Sequence, residues 1–453
     1  MMNGKFLKTY RFFASIALCG AAVFYAAAFN ACDRYSLDLK DPYEEEEWGN
    51  QVTPNPEPAV TIELREEGEP MVHVGALHTP EDFSRIKAKI QAGEEPWVSG
   101  WNKLLANKHA DNSDTTNWNR ERDARTKIIR GGDGENYQCA YWAAAGAYQK
   151  ALRWKISGNT DYAAMAIEIL NKWAATCTEV TGDTNYALAA GLYGYQFAVA
   201  GELLRDYSQW QRQDFKKFQE WMVDVFYSKN KYYLDSHHGT CDDHYWANWD
   251  LCNLASVLAI GIVADRRDIY NYGVNYLLNG NGNGKWTKAI NYIHTLENGE
   301  VLGQIQESGR DQGHATLCVG LMGIICQLAW NQGDDFFGYL GNRFLAGCEY
   351  EAKYNIALSD VPFHEYVRQW GPKDNPNQPE THTAVSSSAR GTNRPMWALP
   401  YYHYTAIKHL NVSKLTYTKM GLDSMPTEGG GGSDGGSSGS YDLLGYGTLL
   451  YTQ

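Results

Sequence analysis

An all-α fold, an (α/α) toroid of helical hairpins with short strands at its N-terminal edge, is what this sequence predicts. Three observations carry the prediction. Hydrophobic residues recur with a helical period over most of residues 80–354. Segments apolar almost all round alternate with segments apolar on one face, as expected of buried inner helices backed by half-buried outer ones. No motif repeats at a fixed period, which favours a closed ring over the alternative for such an array, an open superhelical solenoid.

The elements follow in order. Residues 59–64 and 71–74 read as short strands. A helix opens at Thr79-Pro80-Glu81-Asp82, with a capping residue, proline at the first helical position and acids in the first turn. Residues 139–156, 185–204, 251–263 and 315–330 are the buried helices. Residues 161–176 (with Tyr162, Met165, Ile169 and Trp173 on one face), 208–226, 267–278 and 335–354 are the amphipathic ones. Gly280 to Gly284 makes a tight loop. Beyond residue 355 the helical pattern fades: 361–379 is polar and Pro-rich, 394–410 returns to helix, and 429–440 reads as a flexible Gly/Ser loop. Residues 441–451 are apolar and return to pack on the body.

The first residues belong to no fold. Lys5, Lys8 and Arg11 precede an apolar run over residues 12–29. The run ends at Phe29-Asn30-Ala31-Cys32, which resembles a bacterial lipobox and implies lipidation of Cys32. The alternative is a membrane helix, since the run is long enough to span. Residues 1–31 are thus expected to be a lipoprotein signal peptide. Residues 32–60, with Glu44 to Glu47, form an acidic flexible tether, and 61–453 a single domain. This places a monomeric lipoprotein on the outer membrane of a Gram-negative cell, at its surface or in the periplasm. The seven cysteines after Cys32 show no CxxC pair and sit mostly in apolar runs, so they read as core thiols rather than disulfides or metal ligands. No metal or other cofactor is expected. A net charge of −13 argues against nucleic acid as a partner, and any polyanion would have to be received by a local basic cleft. The 31 Tyr and 15 Trp suit stacking on sugar rings as well as a helical core.

Two polar clusters stand at the mouths of buried helices: His237 to Asp250, and Gln304 to His314. Placing His, Arg, Glu, Asn and Tyr there is unfavourable unless they are paired or used. There is no phosphate loop, no Gly-x-Ser-x-Gly elbow and no dinucleotide fingerprint. The remaining inventory suits β-elimination on a uronic acid. Donors neutralise the carboxylate and stabilise an enolate-like intermediate, while Tyr or His moves the proton. The cluster around His244 and Asn248 and the one around Arg310 hold the right residue types.

Four stretches together resemble the bacterial alginate lyase domain polysaccharide lyases: residues 244–253 (HYWANWDLCN), 306–314 (QESGRDQGH), 329–333 (AWNQG) and 349–355 (EYEAKYN). The resemblance covers most of residues 75–450. It implies an (α/α) toroid that cleaves 1,4-linked uronans, such as alginate or glucuronan, to unsaturated oligosaccharides. The better-known alginate lyases carry an Asn-Asn-His run one residue ahead of Tyr-Trp. Here Asp242-Asp243-His244 adjoins Tyr245-Trp246, so His244 is displaced by one position and Asn248 stands in for the asparagine. Arg310 matches the family's arginine. Leu317 stands near its expected tyrosine, with His314 at the intermediate position, so Tyr292 and His294 become the proton carriers. A tyrosine working near neutral pH needs its pKa lowered by a positive charge, for which Arg310 is the candidate. Substrate contacts are expected from His294, Glu307, His314, Trp249, Arg130, Tyr137 and Gln138.

Each residue also has a purely structural role open to it: core histidine for His244, capping for Asn248, and helix-start ion pairs for Glu307–Arg310 and Asp311–His314. Two rival functions remain. One is an inverting hydrolase using two of Asp250, Glu307 and Asp311. The other is a glycan-binding lipoprotein without catalysis.

Overall fold

The computed structural model describes residues 59–73, 76–433 and 441–453, so the expected signal peptide, Cys32 and nearly all of the tether lie outside it. From residue 80 the described chain is mostly helical. Helix α1 (Pro80–Gln91) begins as expected. The Thr79 hydroxyl accepts from Asp82 N and the Asp82 carboxylate accepts from Thr79 N, a reciprocal capping box with Pro80 at the first position. After α2 (Trp97–Leu105) and α3 (Thr115–Glu121) comes the alternating array. It comprises α4 (Gln138–Ser157), α5 (Thr160–Thr176), α6 (Tyr186–Leu204), α7 (Arg212–Trp221), α8 (Ser228–Ser236), α9 (Ala247–Val263), α10 (Arg267–Asn279), the short α11 (Trp286–Ala289), α12 (Gln312–Trp330) and α13 (Tyr339–Asn355). The apolar helices α4, α6, α9 and α12 pack in sequence, α4 on α6, α6 on α9 and α9 on α12, while α5 backs α4 and α10 backs α9.

These apolar helices start at one end. Strands β1 (Lys127–Arg130) and β2 (Glu179–Gly182) pair in parallel just ahead of α4 and α6. Asn253 Nδ2 donates to Ala187 O and Ser256 Oγ to Ala190 O, a constant offset that runs α9 parallel to α6. The approach is close because α6 carries Gly191, where a Cβ would lie 2.4 Å from Cys252 Sγ. Just before α12, Glu307 accepts from the backbone of Asn248 in the first turn of α9. Four helix N-termini, each with a partial positive charge, therefore share the end that bears the polar clusters.

Several expectations need correction. Residues 59–64 and 71–73 form no strands. Side chains hold the backbone of Val72 and of the stretch between the two segments instead: Gln332 bonds both N and O of Val72, Asn271 donates to Arg65 O, and Arg267 to Glu69 O and Pro70 O. The strands of the described chain lie elsewhere. Besides β1 and β2 there are two antiparallel hairpins, β3 (Ile290–Thr295) with β4 (Val301–Ile305), and β5 (Tyr366–Arg368) with β6 (Glu380–His382). The helix expected over 208–226 ends as α-helix at Trp221 and continues as a π-helical turn, Met222–Tyr227. Helix α13 is buried on nearly all sides rather than one, because β4 and the later α-helix Thr416–Ser424 both pack on it. The described part of the Gly/Ser loop is pinned, with Gly431 O accepting from Asn107 and Gln149 side chains.

The C-terminal run does pack back. Tyr441 stacks on Tyr141 of α4 at 4.1 Å, Asp442 O accepts from Tyr195 of α6, and the buried Asp442 carboxylate pairs with Arg394 at 3.1 Å. The seven cysteines from Cys139 onward form no disulfide among the described residues, and all but Cys139 are buried.

Candidate active site

A buried carboxylate organises the end where the apolar helices begin. Glu307 is wholly inaccessible. Its Oε1 accepts from Asn248 N and Nδ2, both at 2.7 Å, and from Cys318 Sγ at 3.2 Å. Its Oε2 accepts from Arg310 Nη1 at 2.7 Å. Gln306 Oε1 accepts from Ala247 N at 3.0 Å. First-turn N–H groups have no acceptor within their own helix, so Gln306 and Glu307 act as a tertiary cap on α9. Asn248 is thereby buried and committed to Glu307, and Arg310 is held in a fixed orientation.

Arg310 remains partly exposed, its side chain 27% accessible. Its guanidinium carbon lies 5.2 Å from the ring centre of Trp246, and that of Arg368 lies 4.3 Å from the same ring. His382 meets Trp246 edge-on at 5.5 Å. Two guanidinium groups thus flank one indole in a chain of net negative charge.

His244 stands beside them, on the loop between α8 and α9. Its Nδ1 accepts from Gly371 N at 2.9 Å. An accepting Nδ1 leaves the proton of a neutral imidazole on Nε2. Burial, and then the charge of Arg368, hold the His244 pKa below its ordinary value, so the ring is neutral at neutral pH. Arg368 in turn donates to Asp243 O and His244 O and pairs with Glu380 at 2.8 Å. The loop leaves α8 through three successive left-handed residues, His237, His238 and Gly239, a strained turn of the kind that accompanies functional sites. His237 is anchored inside on Asp250 at 3.1 Å.

A second group sits on the β3–β4 hairpin. Tyr292 stacks on His364 at 4.0 Å and lies 4.7 Å from His294. Gln304 Oε1 accepts from His364 N and faces His294 Nε2 at 3.2 Å. Nε2 is therefore the donor, and the lone pair of His294 is on Nδ1. Burial, with His364 nearby, lowers the His294 pKa. The contacts thus place Tyr292 with two histidines, whereas Arg310 is engaged by Glu307, Asp311 and Trp246. Strand β4 joins the two groups, because Gln306, two residues after Gln304, donates to Tyr366 Oη at 2.6 Å.

The other expected contacts divide. Asp311 caps α12 by accepting from His314 N and holds His314 Nδ1 at 2.7 Å. Burial opposes ionisation of Asp311, but the bonds from His314 and the charge of Arg310 outweigh it and keep its pKa below the ordinary value. Trp249 is half-buried against Tyr245 at 4.6 Å. At the start of α4, which Gln138 opens, Arg130 lies 4.8 Å over Tyr137, and Tyr137 stacks in parallel on Tyr193. This is a separate basic-aromatic group.

Sequence reasoning missed the residues of the β5–β6 hairpin. Tyr366, Arg368 and Trp370 come from the stretch 361–379, read as polar and Pro-rich, and His382 from just beyond it. A signal was present: His364, Tyr366, Arg368 and Trp370 recur every second residue, the period of a strand. Burial and the Asp243 carboxylate hold the Tyr366 phenol well above its ordinary pKa, so it stays protonated.

The family model described as "Alginate lyase" matches residues 99–359. Among solved structures, the chain is similar to an alginate lyase A1-III variant complexed with a tetrasaccharide, at 14% identity and a TM-score of 0.53, covering 84% of this chain and 97% of that one. Alginate lyase A1-III from Sphingomonas species A1 aligns over the same shares at 15% identity and a TM-score of 0.52. An alginate lyase from Bacteroides ovatus aligns at 10% identity and a TM-score of 0.50, covering 77% of this chain and 94% of that one. At such identities the structural likeness speaks to the fold alone. No curated protein matches the chain in sequence.

Proposed function

We propose that this chain, which belongs to the alginate lyase family and is thus a polysaccharide lyase, closes its helices into an (α/α) toroid and cleaves a 1,4-linked uronan such as alginate or glucuronan by β-elimination. One observation carries the substrate reading. In a chain of net charge −13, the guanidinium groups of Arg310 and Arg368, the imidazole of His244 and four helix N-termini gather at one end. That is a local receptor for a carboxylate in an otherwise repelling field. Arg310 and His244 Nε2–H neutralise the sugar carboxylate, making the neighbouring C5 proton removable. Glu307 and Asn248 hold Arg310 in place. The Tyr292–His294 group takes the C5 proton, and Tyr366, held protonated, suits delivery of a proton to the leaving O4. Arg130, Tyr137 and Gln138 grip further sugars. The hydrolase reading is disfavoured because Asp250 and Glu307 are fully buried and committed to donors, Asp250 to His237, Tyr233, Tyr276 and Gly284 N.

Digestion of alginate, its two homopolymer blocks and glucuronan is expected to raise the ultraviolet absorbance of a conjugated uronic acid. Reducing ends without that absorbance would establish hydrolysis instead. Tyr292→Phe keeps the ring and its stack on His364 but removes the hydroxyl, so it is expected to fold normally and lose about 100-fold or more in turnover. If it retains most of its turnover while Tyr366→Phe does not, the proton carrier is Tyr366.

The same reading includes a monomer that works without a cofactor and a lipid anchor at Cys32 on the outer membrane. Cys32→Ala is expected to move the protein from the membrane to the soluble fraction; undiminished membrane association would refute the anchor.

A further inference from the structure

We propose that the β5–β6 hairpin, which follows the family-matched segment, is a positioning device that fixes the tautomer and charge of His244, with Arg368 as its positioning residue. The proposal rests on the reading of His244 as a carboxylate donor and adds how that donor is made.

The hairpin touches the His244 loop at several points. Gly371 O accepts from Cys241 N, Gly239 O accepts from Lys373 N, and Thr240 bridges to Pro372. These contacts seat Gly371 N on His244 Nδ1. A backbone N–H can only donate, so it selects the tautomer bearing hydrogen on Nε2. Arg368 binds the carbonyls of Asp243 and His244 and rests on Trp246. Its charge disfavours a second proton on the ring. Such a proton, on Nδ1, would set two N–H groups against each other at 2.9 Å and break the contact with Gly371.

The groups facing His244 are few. Arg368, paired with Glu380, comes from the hairpin. His237 and His238 come from the strained turn. The neighbouring acids are already paired, Asp243 with Lys288 and Asp242 with Lys373. Burial, Arg368 and His237 all act to keep the ring neutral, and the Gly371 N–H, which can only donate to Nδ1, acts in the same sense. Since protonation undoes the donor geometry, activity should fall as pH drops through the His244 pKa. Removing the Arg368 charge raises that pKa and brings the loss to higher pH.

The test is nitrogen-15 NMR of protein labelled at histidine, with His244→Gln to assign the ring. The expected result is a neutral His244 carrying hydrogen on Nε2 at pH 7. In Arg368→Met, the His244 titration and the acid limb of the kcat/KM profile should both move up by roughly one pH unit. Arg368→Lys, which keeps the charge, should leave the titration near the wild-type position. Hydrogen on Nδ1, or a ring already cationic at pH 7 in the wild type, overturns the proposal without any Arg368 variant having to fold. An unmoved titration in a folded Arg368→Met overturns the role of Arg368. The NMR measurement uses no substrate. The expected tautomer in a protein that forms no unsaturated sugar would sink the lyase reading and leave the hairpin's role standing.

Discussion

His244→Ala is expected to lower kcat/KM on the preferred uronan by two orders of magnitude or more, with little change in melting temperature. The size follows from removing a preorganised donor, for which about 100- to 1,000-fold is typical. The stability clause follows from placement: His244 lies on a surface loop, and its ring has one hydrogen-bonded nitrogen, on Gly371 N. Arg310 behaves differently. Its polar surroundings in sequence suggest that it too could be truncated at no structural penalty, but its guanidinium faces a fully buried carboxylate at 2.7 Å. Arg310→Ala would leave Glu307 with only the donors of Asn248 and Cys318, so it is expected to lose turnover and stability together. Arg310→Lys keeps a positive charge for Glu307 while losing the forked geometry a carboxylate needs. It separates the two effects and should lose mainly turnover. Steady-state kinetics alongside thermal melts decide the matter. A His244→Ala protein that melts much earlier while keeping its turnover would mean that the residue serves the fold.

Lys150→Met is expected to be the most destabilising single change considered. Lys150 and Glu121 are both fully buried and paired at 2.6 Å. Glu121 also holds His109 Nδ1 at 2.7 Å and Asn117 Nδ2 at 2.6 Å. His109 Nε2 in turn reaches Tyr441 Oη at 2.7 Å, tying the C-terminal run to α3 and α4. Breaking a buried ion pair by removing one partner leaves an uncompensated charge and costs about 3–5 kcal/mol. For a domain of this size that is a fall in Tm of roughly 5 °C. The double variant Lys150→Met, Glu121→Gln removes the stranded charge and is expected to recover much of the loss. Calorimetry of the two variants is the check; a loss below about 1 kcal/mol in Lys150→Met would show that the cluster tolerates the charge unaided.

Much of the helical frame was legible because a helix announces itself locally. Apolar spacing located α4, α5, α6, α9, α10 and α12 to within a few residues, and Thr79 with Asp82 marked the start of α1. The strand expectations failed for the complementary reason. Residues 59–64 and 71–73 have strand-like composition, but a strand exists only if another strand pairs with it, and at Val72 the backbone partner is instead the side chain of Gln332.

Sequence alone determined that helices dominate, that α4, α6, α9 and α12 are apolar nearly all round, and that His244, Asn248 and Arg310 belong to polar clusters at the mouths of buried helices. These are properties of neighbours along the chain. Tertiary structure decided what each residue can do. It turned Glu307 from an expected sugar contact into the buried anchor of Asn248, 59 residues away. It gave Tyr292 to His364 rather than to Arg310. It also brought Gly371 across 127 residues to the imidazole of His244. Hydrophobic period encodes which face of an element is buried, but the donor that meets a given acceptor is set by how separate elements pack, and no local pattern records it.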